Sequence, residues 1–139
     1  MTSNAFITKR VSLAKKYLNI VRRLAKFSKD EIQNDDMIRG SVEWYVYIIC
    51  QICIDLANMI ISYKYERKPI NYNESFLILA EEKYISRNLA DSMIELTEVR
   101  NMLAFEYEKN GYDIIVDVLN NKVKDIDKFV LVIEKKILK

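Results

Sequence analysis

Residues 42–61 read VEWYVYIICQICIDLANMII, and the fold turns on what this stretch becomes. Trp44 to Cys50 is apolar without a break, so a membrane span is the first reading that length and hydropathy suggest. Glu43, Gln51, Asp55 and Asn58 argue against it, since an Asp near the centre of a span alone costs about 2.5–3.5 kcal/mol. The better account is a core helix from about Asp36 to Tyr63, covered by other helices, in a chain that does not enter a membrane. On such a helix Gln51, Asp55, Asn58 and Ser62 fall at i, i+4, i+7 and i+11. They form one polar stripe that must face water, a cleft or a partner, and the stripe motivates a homodimer. Gly40, at the start of this helix, offers a point of close backbone approach.

Working outward, the neighbours carry helical spacing too. From about Asn4 to Phe27, residues Phe6, Leu13, Tyr17, Ile20, Leu24 and Phe27 share one side. Ile7, Val11, Ala14, Leu18, Val21 and Ala25 extend that apolar half. Ser28 followed by Glu31 is a capping-box pattern that opens a short second segment. Glu66 to Asn73, with Pro69, is the clearest loop, and a short helix follows over about Glu74–Glu82. Ser86 caps the next long segment, with Leu89, Met93, Leu96, Leu103 and Ala104. Gly111 marks a break. Asp113 opens the last helix, where Ile114, Val118, Val123, Ile126, Val130, Ile133 and Ile137 recur. With two glycines and one proline in 139 residues, special turns are few. The pattern predicts one all-α domain over residues 1–139, an up-and-down bundle of four to five long helices.

Charge is unevenly placed. The formal net charge is +2, yet residues 1–29 hold Lys9, Arg10, Lys15, Lys16, Arg22, Arg23, Lys26 and Lys29 and no acid. Nearly all lie opposite the apolar half of the first helix. Either this is a solvated basic face or it meets an anion such as RNA, with Lys15, Lys16, Arg22 and Arg23 as the contacts. Cys50 and Cys53 are the two cysteines, and the chain has no histidine. A structural zinc site needs four ligands, so no metal is expected and the thiols read as small core residues. Residues 5–27 mix charge into every turn, unlike a signal or transit peptide, which favours a cytoplasmic protein.

The residues most suggestive of chemistry are Arg100-Asn101-Met102-Leu103-Ala104-Phe105-Glu106-Tyr107. Arg100 and Tyr107 lie two helical turns apart on one face, with Asn101 beside the arginine. Arg and Asn amid an apolar helix need a reason, because unpaired burial is costly. An ion pair with Asp or Glu of a neighbouring helix would supply one, and Asp55 on the core helix is placed to orient Arg100. A phosphate site would supply another.

This segment resembles the HEPN signature of HepT toxins, in which an Arg, usually followed by Asn, precedes a His by five positions and a Tyr by seven. Arg100, Asn101 and Tyr107 match. Ile52 to Asn58, Phe76 to Ile85 and Asp113 to Leu119 resemble the family's surrounding segments, so the likeness spans about residues 8–138. It implies an HEPN-like bundle, a homodimer with clefts where two motif helices meet, and RNA cleavage that needs no metal or other cofactor. It also implies a partner, an MntA-like nucleotidyltransferase antitoxin that silences the toxin by transferring AMP to Tyr107. The departure is Phe105 at the His position. A group titrating near neutral pH suits proton transfer from a ribose hydroxyl, and Arg suits charge developing on phosphate; phenylalanine moves no proton. Two origins account for it: deliberate replacement, or natural divergence with weakened or lost nuclease activity. The expectation is a HepT-like ribonuclease toxin with a disabled acid–base position, the alternative a non-catalytic binding or scaffold subunit for a nucleotidyltransferase.

Overall fold

The computed structural model describes residues 4–105 and 111–137, and every described element is helical: α1 Asn4–Leu24, α2 Lys29–Asn34, α3 Asp36–Ile60, α4 Tyr72–Glu81, α5 Arg87–Phe105, α6 Tyr112–Asp117 and α7 Val123–Ile137. A π-helical turn, Ile61–Tyr65, extends α3, and another, Val118–Lys122, joins α6 to α7. The single last helix expected from the spacing is therefore one helical run with a widened turn inside it.

The helix starts follow from local chemistry. Ser28 Oγ accepts from Glu31 N–H and Glu31 accepts from Ser28 N–H, each at 3.1 Å, the reciprocal capping box that begins α2. Asp35 Oδ1 takes the N–H groups of Met37 and Ile38 and starts α3. Asn71 does the same for α4 through Glu74 N–H, and Ser86 for α5 through Leu89 N–H. Each cap satisfies donors that no helical carbonyl can reach.

α3 is the axis of the domain. It packs on α1, α2, α4 and α5 and buries Val42, Val46, Ile49, Ile52, Leu56 and Ile60 among them. By length and composition it could cross a membrane; here just over half of its most apolar stretch, 56%, is buried inside the domain. Phe76 of α4 meets Phe129 of α7 edge-on, with centroids 5.6 Å apart, at the centre of the core. Cys50 and Cys53 are free and buried. Burial pushes the Cys50 thiol up to about 12 and Cys53 well above its usual range, so both stay protonated at neutral pH.

The apolar half of α1 read from the sequence packs as expected: Ile7, Val11, Ala14, Leu18 and Val21 are buried, and Leu13, Tyr17, Leu24 and Phe27 lie partly buried against the core, with Phe6 alone of them 57% exposed. Two expectations need correction. Gly40 faces open space, where a side chain would touch nothing. The close approach is at Gly111 instead, where a Cβ would lie 2.7 Å from the Met102 side chain. The polar stripe of α3 is mostly used within the chain: Gln51 and Asp55 bond each other, and Asn58 accepts from buried Ser75 at 2.5 Å. It does not argue for a dimer.

Phe129→Ala should lower unfolding stability by about 3–5 kcal/mol, the usual cost of emptying an aromatic site in a packed core. Urea unfolding followed by circular dichroism measures it; a loss under about 1 kcal/mol would remove the Phe76–Phe129 contact from the centre of the core.

Candidate functional site

Arg100 sits five residues from the end of α5, half-buried against α3. Its Nε donates to Gln51 Oε1 at 2.8 Å, Nη2 to the Tyr47 hydroxyl at 3.3 Å and Nη1 to Asn101 Oδ1 at 3.1 Å. Three rings surround the guanidinium: its Cζ is 5.2 Å from the Tyr47 centroid, 5.4 Å from Tyr72 and 5.9 Å from Phe105. The charge is thus held by neutral acceptors and ring faces. The ion pair considered from the sequence is absent among the described residues, whose bonds to the guanidinium all come from neutral acceptors.

Asp55 reaches Arg100 only through an intermediary. Its Oδ1 accepts from Gln51 Nε2 at 2.9 Å, while Oδ2 faces Arg10 of α1 at 3.5 Å. The Arg10–Asp55 pair is long and more than a third exposed on both sides, worth at most about 1 kcal/mol. The Gln51–Arg100 bond is charged on one side and half-buried, a class worth about 1.5–3 kcal/mol. Gln51 bonds the arginine directly, and Asp55 supports it at one remove by holding Gln51.

Beside this cluster lies an open groove of about 440 Å³ lined by Glu43, Trp44, Tyr47, Leu103 and Ala104. Trp44 stacks on Tyr47 with centroids 6.0 Å apart, yet remains 54% exposed, and Phe105 is 75% exposed. Burial raises the Glu43 carboxyl, an effect that Arg39 opposes. Tyr47, Gln51, Tyr72 and Glu43 come from helices far from the motif in sequence, and only the core-helix stripe, through Gln51, hinted at any of them. Tyr107 lies outside the described residues.

The proposed basic contacts are dispersed. Lys15 pairs with Glu134, and Arg22 with Asp127 at 3.0 Å, both acids on α7; Lys29 pairs with Asp113 at 2.7 Å. Lys16 and Arg23 are exposed. Half of the four residues expected to meet RNA are therefore engaged with α7, and the structure does not bring any of the four to Arg100.

The fold and this half-buried Arg–Asn site on the third long helix define an all-α HEPN-like protein. The chain matches the family described as "Ribonuclease HepT-like" over residues 14–133 and belongs to it. It is 28% identical over 104 residues to the mRNA nuclease HepT of Shewanella oneidensis, covering 75% of this chain and 78% of that protein. Among solved structures it is similar to a tri-AMPylated Shewanella oneidensis HEPN toxin in complex with an MNT antitoxin. The TM-score is 0.84 at 24% identity, over 97% of this chain and 99% of that one. A toxin–antitoxin crystal structure with AMP-PNP also aligns at a TM-score of 0.84, with 23% identity over 93% of this chain and 97% of the other. At these identities the solved structures bear on the fold alone.

Gln51→Leu, which keeps the volume and deletes the acceptor, should cost about 1–3 kcal/mol of stability, while Asp55→Asn should cost less than about 1. Equal losses for the two variants in chemical denaturation would return the positioning of Arg100 to Asp55.

Proposed function

We propose that this chain is the HepT-like component of a toxin–antitoxin pair, an RNA-binding homodimer of the cytoplasm whose ribonuclease step is weakened or lost. The observation that carries this reading is the Phe105 ring standing 5.9 Å from the Arg100 guanidinium in a chain without histidine. The position at which the family carries its histidine, within 6 Å of the Arg100 guanidinium, has an aromatic face and no proton to give or take. Arg100 and Asn101 hold a backbone phosphate of RNA, and exposed Trp44 and Phe105 offer faces for unpaired bases. No metal or cofactor enters this scheme.

The partner is an MntA-like nucleotidyltransferase, and Tyr107 is the residue that it modifies with AMP. Attached AMP adds negative charge seven residues along the chain from Arg100 and competes with RNA phosphate. That a related HEPN toxin is AMPylated in complex with its MNT antitoxin supports the assignment. The second reading, a non-catalytic subunit bound to the nucleotidyltransferase, is favoured by the same Phe105, since recognition by Arg100 and the rings needs no imidazole.

Phe105→His decides between them. General acid–base catalysis contributes about 10²–10⁴-fold, so the variant should gain RNA cleavage of that order, resistant to EDTA, abolished by a further Arg100→Ala, and titrating near the usual histidine range. Co-expression with a cognate nucleotidyltransferase should suppress its toxicity, and Tyr107→Phe should prevent the suppression. Cleavage by the unaltered chain at the rate of the His variant would show that the site works without imidazole. A folded but inactive and harmless His variant would favour the binding subunit. For the assembly, light scattering at micromolar concentration should give twice the 16.5 kDa chain mass; a monomer alone would refute the dimer.

A further inference from the structure

α7 is sorted by charge. Asp127 and Glu134 face α1, where they pair with Arg22 and Lys15. Lys128, Lys135 and Lys136 instead line a cavity of about 930 Å³, to which the turn between α4 and α5 contributes Lys83 and the first residue of α5 contributes Arg87. The negative charge here does not match. Arg87 is held by Asp91 at 2.9 Å, and Asp125, the carboxylate of the lining, accepts from Ser92 Oγ at 2.6 Å. Lys136 donates to the Tyr84 carbonyl at 3.0 Å. Lys83, Lys128 and Lys135 are exposed and have no ion-pair partner among the described residues. Lysines converging from two elements on one concavity build a positive potential that a polyanion would relieve. The start of the 19-residue α5, at Arg87, opens into the same cavity and adds the positive end of its dipole.

From this we infer that the cavity is a second RNA site, a groove that holds backbone phosphates at the opposite end of α5 from Arg100. The inference rests on RNA being the ligand of the domain, as proposed above. Thirteen residues of helix separate the two ends of the site, about 20 Å at 1.5 Å per residue. The chemistry of the two ends differs. The Tyr84 ring in the cavity is 3% exposed, covered by Lys64 and Lys136 at 5.4 and 4.5 Å, so no ring is offered for stacking. Lysine, a mobile point charge, takes phosphate without reading geometry. The groove therefore positions the RNA chain, and the exposed rings at Arg100 meet its bases.

The test is an amide-resolved NMR titration of the full chain with a single-stranded oligoribonucleotide, run beside inorganic tripolyphosphate. Amides of residues 83–89 and 128–136 should shift with RNA. Lys128→Gln with Lys135→Gln, both at exposed positions, should weaken binding roughly tenfold at low salt and reduce the slope of log affinity against log salt by about 1.4, some 0.7 for each phosphate contact on a single strand. Lys128→Glu with Lys135→Glu should weaken it further. RNA shifts confined to residues around Arg100, with affinity and slope unchanged in the variants, would overturn the groove and leave the RNA reading standing. Shifts confined to the groove would support it and remove Arg100 from RNA binding. RNA shifting neither region would overturn both, and tripolyphosphate shifting the groove where RNA does not would assign it to free oligophosphate instead.

Discussion

The desolvation of α3 sets the terms for everything around it. Val46, Ile49, Leu56, Ala57 and Ile60 are wholly buried, and such a helix survives in water only when other helices cover it. Covering it brings polar side chains of the same helix into the seams, where each must find a partner because an unpaired buried group costs about 1–3 kcal/mol. Asn58 finds Ser75 of α4, Asp55 finds Arg10 of α1, and Gln51 finds Arg100 of α5. The candidate site is thus one of several seam contacts of the core helix, distinguished by the rings that gather round it and by its opening to the surface.

Much of the fold was legible because it depends on short-range chemistry. The capping box at Ser28 and Glu31, the cap at Ser86 and the identity of α3 as a core helix are all local properties. Which of the two apolar rows of α1 is fully buried was not, since adjacent rows differ only in how many neighbours cover them. Nor were the partners of the basic residues: Lys15 and Arg22 find their acids on α7, far along the chain. At the site, Arg100 and Asn101 could be recognised from their motif, whereas Tyr47 and Tyr72 enter it only because α3 and α4 pack on α5. The exposed lysines of α7 carry no local signal of the α4–α5 turn that lies opposite them.

Phenylalanine at position 105 is compatible with the arrangement of Arg100. A ring face attracts a guanidinium electrostatically, and Tyr47, Tyr72 and Phe105 all present one within 6 Å. A phenyl ring supplies such a face and carries no group that titrates. On the proposed reading, recognition would rest on the Arg100 guanidinium and the rings, and reaction on an imidazole that this chain lacks.

The antiparallel pairing of α1 with α7 has a consequence for synthesis. These helices are joined by Lys15–Glu134 and Arg22–Asp127, two turns apart on each, and everything from α2 to α6 is translated between them. A nascent chain can dock α1 onto α3 early, but one side of α1 stays bare until α7 emerges. Its lysine and arginine then stay without their acids for most of elongation. Closure of the domain is a late, long-range event, which slows folding relative to a bundle of sequential hairpins. Premature termination anywhere before α7 leaves α1 half-covered, with apolar surface exposed in a species prone to aggregation.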